Sequence, residues 1–359
     1  MATDLRTQKL AKLVVDYSVG VKKGDSVVIS GSATEARDFI IAIYKEVILS
    51  GGHPIIKANF PELDAFFYKY AKEHQIEKFP AHVEFMAKNS QKWIGIDTEL
   101  NTRALTNTDG KKITARTKVT HSISDYIVNQ RDKIMRCTVG FPCLALAQDA
   151  EMDLTEYENF VYGACLQDWK FLGKRIDAVL KKFQRGKKVH LIGENVDLKF
   201  EIHGKLAKAD KGEENMPGGE IFMAPVRESL NGWIKFDYPA IESGKEVTDI
   251  RLKFENGKVV ESKASKNEKF LKEMLATDEN ASYVGEFGIG MNPKINKFTK
   301  NLLFDEKIGG TIHLALGMAY KDNGGGNESS IHWDIVKDMK RAKIILDGKV
   351  VQENGHWKI

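Results

Sequence analysis

From Asp25 to Thr98 the sequence alternates between two periods, and that alternation restricts the fold more than any other feature. "DSVVISG" reads as a short buried strand, and "HPIIKAN" as the next strand. Between them "TEARDFIIAIYKEVILSGG" has the spacing of a helix of about five turns closed by glycine. "PELDAFFYKYAKEHQIEKF" continues as a helix and "QKWIGIDT" as a third strand. Strands separated by helices at this spacing pair in parallel through right-handed crossovers, which makes an α/β layer. A helix over "TQKLAKLVVDYSV" precedes them. The helical stretch "DLTEYENFVYGACLQDWKFLGKRIDAVLKKF" ends this half, its aromatic residues belonging to a core or an interface.

From about Lys187 the texture changes. "KKVHLIGENVDLKFEIHGK" is strand-rich, and two tight-turn dipeptides follow, Asn256-Gly257 and Asp347-Gly348, each between alternating apolar residues. A chain of 359 residues accommodates about two domains. The expected architecture is an α/β N-terminal domain with a parallel sheet over residues 1–185, and a β-rich α+β C-terminal domain over 186–359.

Several function classes are disfavoured at this stage. The turn after the first strand, "SGSATEA", holds only Gly31 where a dinucleotide fingerprint wants three glycines. The net charge is +4, with short lysine clusters at Lys181-Lys182 and Lys187-Lys188 and no nucleic-acid motif beside them. Apolar runs fall far short of the roughly 18 residues that a membrane span requires. The N-terminus mixes charge into an amphipathic pattern, so the expected location is the cytoplasm. Cys137, Cys143 and Cys165, odd in number and without C-x-x-C spacing, argue against a disulfide framework and a zinc knuckle.

The chemistry-bearing residues lie in the second half. Glu220 follows a turn made by Pro217, Gly218 and Gly219, and Glu286 sits among apolar residues and glycines in "SYVGEFGIGMNP". His313 lies inside "KIGGTIHLALG", with Tyr320 seven residues on. In "SSIHWDIV", read as a strand, His332 and Asp334 point one way while Ile331, Trp333 and Ile335 point the other. Each has an ordinary structural reading: a turn glutamate, a core histidine, a packing tyrosine, the wet face of a strand. Yet a buried carboxylate must be paired or coordinated. Arg227 is near Glu220 in sequence, but three acids, two histidines and a tyrosine exceed what one ion pair needs. Imidazole nitrogen with carboxylate oxygen suits zinc, cobalt or manganese, and this set suffices for two ions with one bridging carboxylate. Spacing alone does not close such a site.

These segments carry a resemblance. "MPGGEIFMAPVRESLNGWI", "GEFGIGMNP", "IGGTIHLALG" and "IHWDIV" resemble the M29 metallo-aminopeptidases, the thermophilic aminopeptidase T group, and the likeness runs the length of the chain. The resemblance implies Glu220, Glu286, His313, Tyr320, His332 and Asp334 as metal ligands, with catalytic parts for Glu220, Glu286 and Tyr320. It implies two divalent ions per subunit (zinc, cobalt, manganese or magnesium), a homodimer, and peptide substrates with a free N-terminus. It departs from the family in two places. The D-E-N-A stretch before the histidine is here "FDEKIGGTIH", which sets Glu306 at a longer spacing and leaves it open as a ligand. The loop "KDNGGGNESS" is short, which bears on substrate range. The implied reaction is removal of the N-terminal residue by a two-metal activated water. The alternatives are another dinuclear-metal hydrolase, an amidase or phosphoesterase, and a non-enzymatic binding protein. A phosphoesterase needs basic side chains at the ions, and the motif segments offer only Arg227 and Lys321.

Overall fold

The computed structural model of the chain describes residues 4–242 and 244–358. Its contacts divide it into two compact units: the described residues of Met1–Gln167 with Gly212–Gly218, and Asp168–Lys211 with Gly219–Ile359.

In the first unit, helix α1 (Leu5–Leu13) is followed by strand β1 (Ser26–Ser32), helix α2 (Arg37–Leu49) and strand β2 (His53–Asn59). Strands β3 (Lys92–Asp97) and β4 (Met135–Gly140) complete the alternation. The sheet order is β2-β1-β3-β4, then the short strand Asn215–Met216, and every pairing is parallel. Val27, Val28 and Ile29 of β1 are all fully buried, as expected of a parallel sheet covered on both faces. The ring of Phe39 on α2 stacks on Phe141 at 4.6 Å between centroids.

Two helical expectations divide in the structure. "PELDAFFYKYAKEHQIEKF" forms helices Glu62–Tyr70 and Glu73–Ile76, because Ala71 is extended at ψ 136°. The long stretch after Asp153 forms α3 (Leu154–Cys165) and α4 (Trp169–Arg185). At the break Asp168 restarts the helix, its carboxylate accepting the Phe171 N–H at 2.9 Å. Helix α4 therefore belongs to the second unit, and 212–218 returns to the first. The helix Gly110–Asn129 lies where the sequence pattern gave no assignment. Cys137, Cys143 and Cys165 are buried free thiols, and no helix among the described residues is long and apolar enough to cross a membrane.

The second unit is built mainly of antiparallel sheet. An eight-stranded sheet contains both expected tight turns, with φ of 49° and 82° at Asn256 and Gly257 and of 50° and 80° at Asp347 and Gly348. A five-stranded sheet carries β5 (Glu220–Met223), β6 (Val284–Gly290), β7 (Thr311–Gly317) and β8 (His332–Asp338). Its order is β8-β7-β6-β5, ending on Lys208–Asp210. Strands β6 and β7 are buried at every position. One face is apolar, with Phe287 of β6 against Phe183 of α4 at 6.2 Å and Phe200 at 4.9 Å. The opposite face is where the acids and histidines collect.

Candidate metal centre

The ladder register decides which side chains meet. Residues directly opposite in an antiparallel pair share a face. Glu220 opposes Gly290, Gly288 opposes His313, and Glu286 opposes Ala315. Ala315 in turn opposes Asp334, and Gly317 opposes His332. All five charged or imidazole side chains therefore project from one face, and each has a glycine or an alanine across the ladder on one side, while Glu220 also faces Asp210 and His313 also faces Val336 on the other. Gly288 leaves the room that the ring occupies, since a Cβ there would lie 1.9 Å from His313 Nε2.

His313 is the hub. Its Nε2 lies 3.3 Å from Glu286 Oε1 and 3.7 Å from Glu220 Oε2. On β8, His332 Nε2 is 3.4 Å from Asp334 Oδ2. His332 Nδ1 donates to the Met318 carbonyl at 2.9 Å, which orients the ring and leaves Nε2 facing the carboxylates. Ligand-capable atoms of Glu286, His313 and Asp334 all fall within 4.8 Å of one another, and so do those of Glu220, Glu306 and His313.

Burial sets the electrostatics. It pushes Glu220 well above the ordinary carboxylate range, assisted by Glu306 and opposed by Lys307 and His313. It also raises Glu286, against the hydrogen bond from His313. Burial alone would raise Asp334 too, but the charge of His332 and their hydrogen bond outweigh it and hold Asp334 low. For the histidines burial acts downward and loses to the surrounding carboxylates: His313 is lifted to about 9 and His332 to about 10. Cations are thus strongly favoured here. Glu286 Oε2, His313 Nδ1 and Asp334 Oδ1 are buried with no hydrogen-bond partner, a costly condition on three of the predicted ligands. A nitrogen-and-oxygen donor set with orphaned lone pairs fits a divalent metal ion.

Tyr320 follows β7, its ring 5.1 Å from that of His332. Two neighbours were not singled out as site residues, or were left open. Glu306 joins Glu220 and His313, and the adjacent Lys307, fully buried, bonds Glu306 and lies 3.3 Å from Glu220 Oε1. They arrive through a bridge between Asn292 and Ile308, made possible because Gly290 leaves room for the Ile308 carbonyl; a Cβ would sit 2.1 Å from it. The signal in the sequence was Gly290, which no strand pattern requires. Of the basic residues weighed beforehand, Arg227 bonds Asn280 and lies over the Tyr283 ring, and Lys321 pairs with Glu328. On β8 the centre adjoins a cleft of about 110 Å³ lined by Ala240, Ile241, Phe298 and Leu302 among others.

Residues 3–357 match the family described as thermophilic metalloprotease (M29). Over 99% of each chain the protein is 28% identical to aminopeptidase AmpS of Bacillus subtilis (strain 168). Among solved structures it is similar to wild-type AmpT from Thermus thermophilus, with a TM-score of 0.88, 23% identity and 100% of each chain covered. It also resembles 2,5-dihydroxypyridine dioxygenase from Pseudomonas putida KT2440, with a TM-score of 0.66 and 12% identity over 99% of this chain and 98% of that one. That likeness concerns the fold alone.

Proposed function

This chain belongs to the thermophilic metalloprotease (M29) family and is a metallo-aminopeptidase; we propose that it removes the N-terminal residue of peptides at the centre on β5 to β8. The observation that carries the reading is the buried face on which Glu286, His313 and Asp334 bring ligand-capable atoms within 4.8 Å of one another and on which each of the three keeps a buried polar atom without a hydrogen-bond partner. Glu286, His313, His332 and Asp334 would hold a divalent ion, and Glu220, Glu306 and His313 frame a second cation position. The two-ion expectation fills both with metal, Glu286 being the candidate for the bridging ligand.

When bound, such an ion supplies Lewis acidity for the scissile carbonyl and lowers the pKa of its water toward 7. The protein supplies placement. His332 is fixed by its bond to the Met318 carbonyl, and His313 by the Gly288 hollow and the Glu286 carboxylate. The cleft beside β8, where Ala240, Ile241, Phe298 and Leu302 meet charged neighbours such as Lys300 and Asp305, gives a side chain of the substrate a place next to the centre. Tyr320, beside His332, is positioned either to ligate or to donate a hydrogen bond to the tetrahedral intermediate, an interaction of about 3 kcal/mol in comparable sites. A free α-amine, with a pKa near 8, keeps a neutral fraction able to bind a cation centre. The phosphoesterase alternative has less support, because Arg227 and Lys321 are engaged elsewhere and the lysine at the centre, Lys307, is fully buried between Glu306 and Glu220.

The test is release of free amino acid from a leucyl peptide by protein as purified, chelated, and chelated then given cobalt or zinc. His332→Ala and an N-acetylated peptide run alongside. Activity requiring the metal, His332 and the free amine is expected. Equal turnover of the acetylated peptide, or none in any sample, would overturn the reading.

A further inference from the structure

Resting on that reading of the centre, we infer that the Lys307 ammonium permanently fills the second cation position, so that the chain binds one divalent ion and not two. Lys307 has no exposed surface, and its Nζ is bonded to Glu306 and 3.3 Å from Glu220 Oε1. Those are the two carboxylates which, with His313, make up the second donor group. An ion ligated by both at roughly 2.0–2.2 Å would share these two carboxylates with the ammonium and stand a few ångström from it, like charge beside like charge.

The lysine has no easy way out. Its N–H donates to the Phe304 carbonyl at 3.0 Å, and its own carbonyl accepts from Asn292 at 3.0 Å. The next carbonyl, of Ile308, is seated over Gly290, opposite Glu220 in the ladder. The backbone that carries the side chain is thus anchored to β6, and the ammonium itself is held by the two carboxylates. The other donor group differs: Glu286 pairs with His313 and Asp334 with His332, which are themselves ligands, and orphaned atoms remain there for a metal. The two positions thus have different occupants, a fixed ammonium in one and an exchangeable ion in the other.

Metal-free protein titrated with Co²⁺ by calorimetry, with metal counted after gel filtration, tests this directly. One ion per chain is expected for the wild type and for Lys307→Arg, and two for Lys307→Met, where the freed carboxylates need a new counter-charge. If the methionine variant does not fold, the wild type decides alone: Mn²⁺ should give the paramagnetic resonance spectrum of isolated ions at saturation. Two tight ions in the wild type, a spin-coupled manganese pair, or a folded Lys307→Met holding one ion would overturn the inference while leaving the aminopeptidase reading intact. No bound ion at all would overturn both.

Discussion

At position 288 a missing side chain admits a present one. Gly288→Ala would place a methyl group 1.9 Å from His313 Nε2, so the imidazole or the fully buried strand β6 has to shift. The expected outcome is a folded protein weakened by about 1–3 kcal/mol, read by urea unfolding, with metal affinity down at least ~10-fold by calorimetry. An unchanged affinity would mean that His313 is not a ligand in this rotamer. Legibility in the sequence varied at this scale for a physical reason. His332 and Asp334 could be read as a pair because strand alternation projects i and i+2 together, and β8 does so. Glu306 and Lys307 could not be placed, because a bridge to Asn292, not their own periodicity, delivers them.

Among the elements, the loop entering β8 gathers both of its serines on one carboxylate. Asp278 accepts from the Ser330 N–H at 2.8 Å, the Ser330 hydroxyl at 2.7 Å and the Ser329 hydroxyl at 2.9 Å. Burial pushes its pKa up, yet these bonds and one from Asn280 win and hold it at about 2 against an ordinary 3.8. Because the folded value is the lower one, this stabilisation is complete above the ordinary value and is lost as pH falls through about 2. Asp278→Asn should therefore be less stable than wild type at neutral pH, and the gap in urea midpoints should narrow as pH drops below about 4. A gap independent of pH would show that the carboxylate charge is irrelevant to the loop. The tight turns offer a paired comparison. Both Gly257 and Gly348 have positive φ, so alanine costs about 1 kcal/mol at either. At Gly257 a Cβ would also meet the Arg227 carbonyl at 1.8 Å, whereas nothing lies within 4 Å at Gly348. Gly257→Ala should be the more damaging by about 1–3 kcal/mol in urea unfolding; equal losses would leave only the backbone term. Both turns were legible, since Asn-Gly and Asp-Gly have few other uses between alternating apolar runs.

For the whole molecule, metal and folding are linked. An ion that binds only the native chain at a free concentration of 100 Kd adds about 2.7 kcal/mol. Thermal unfolding of the chelated protein should accordingly shift upward by several degrees on adding cobalt or zinc, and His332→Ala should show little of that shift. An identical shift in the variant would place the ion elsewhere. At this scale the sequence revealed the parallel α/β sheet and the β-rich second half, because each period persists over several elements. It was silent on the return of 212–218 to the first unit and on the restart of the helix at Asp168. Those depend on which surfaces pack, which a one-dimensional pattern does not encode. The small residues facing each donor have a use beyond this protein. Histidine and aspartate two apart occur on many strands, most of them only wetted by solvent. Glu220 with Gly290, His313 with Gly288, Glu286 and Asp334 with Ala315, and His332 with Gly317 form a two-dimensional signature. A scan of paired strands for donors that each face a hollow would retrieve such centres in sheets where no linear motif survives.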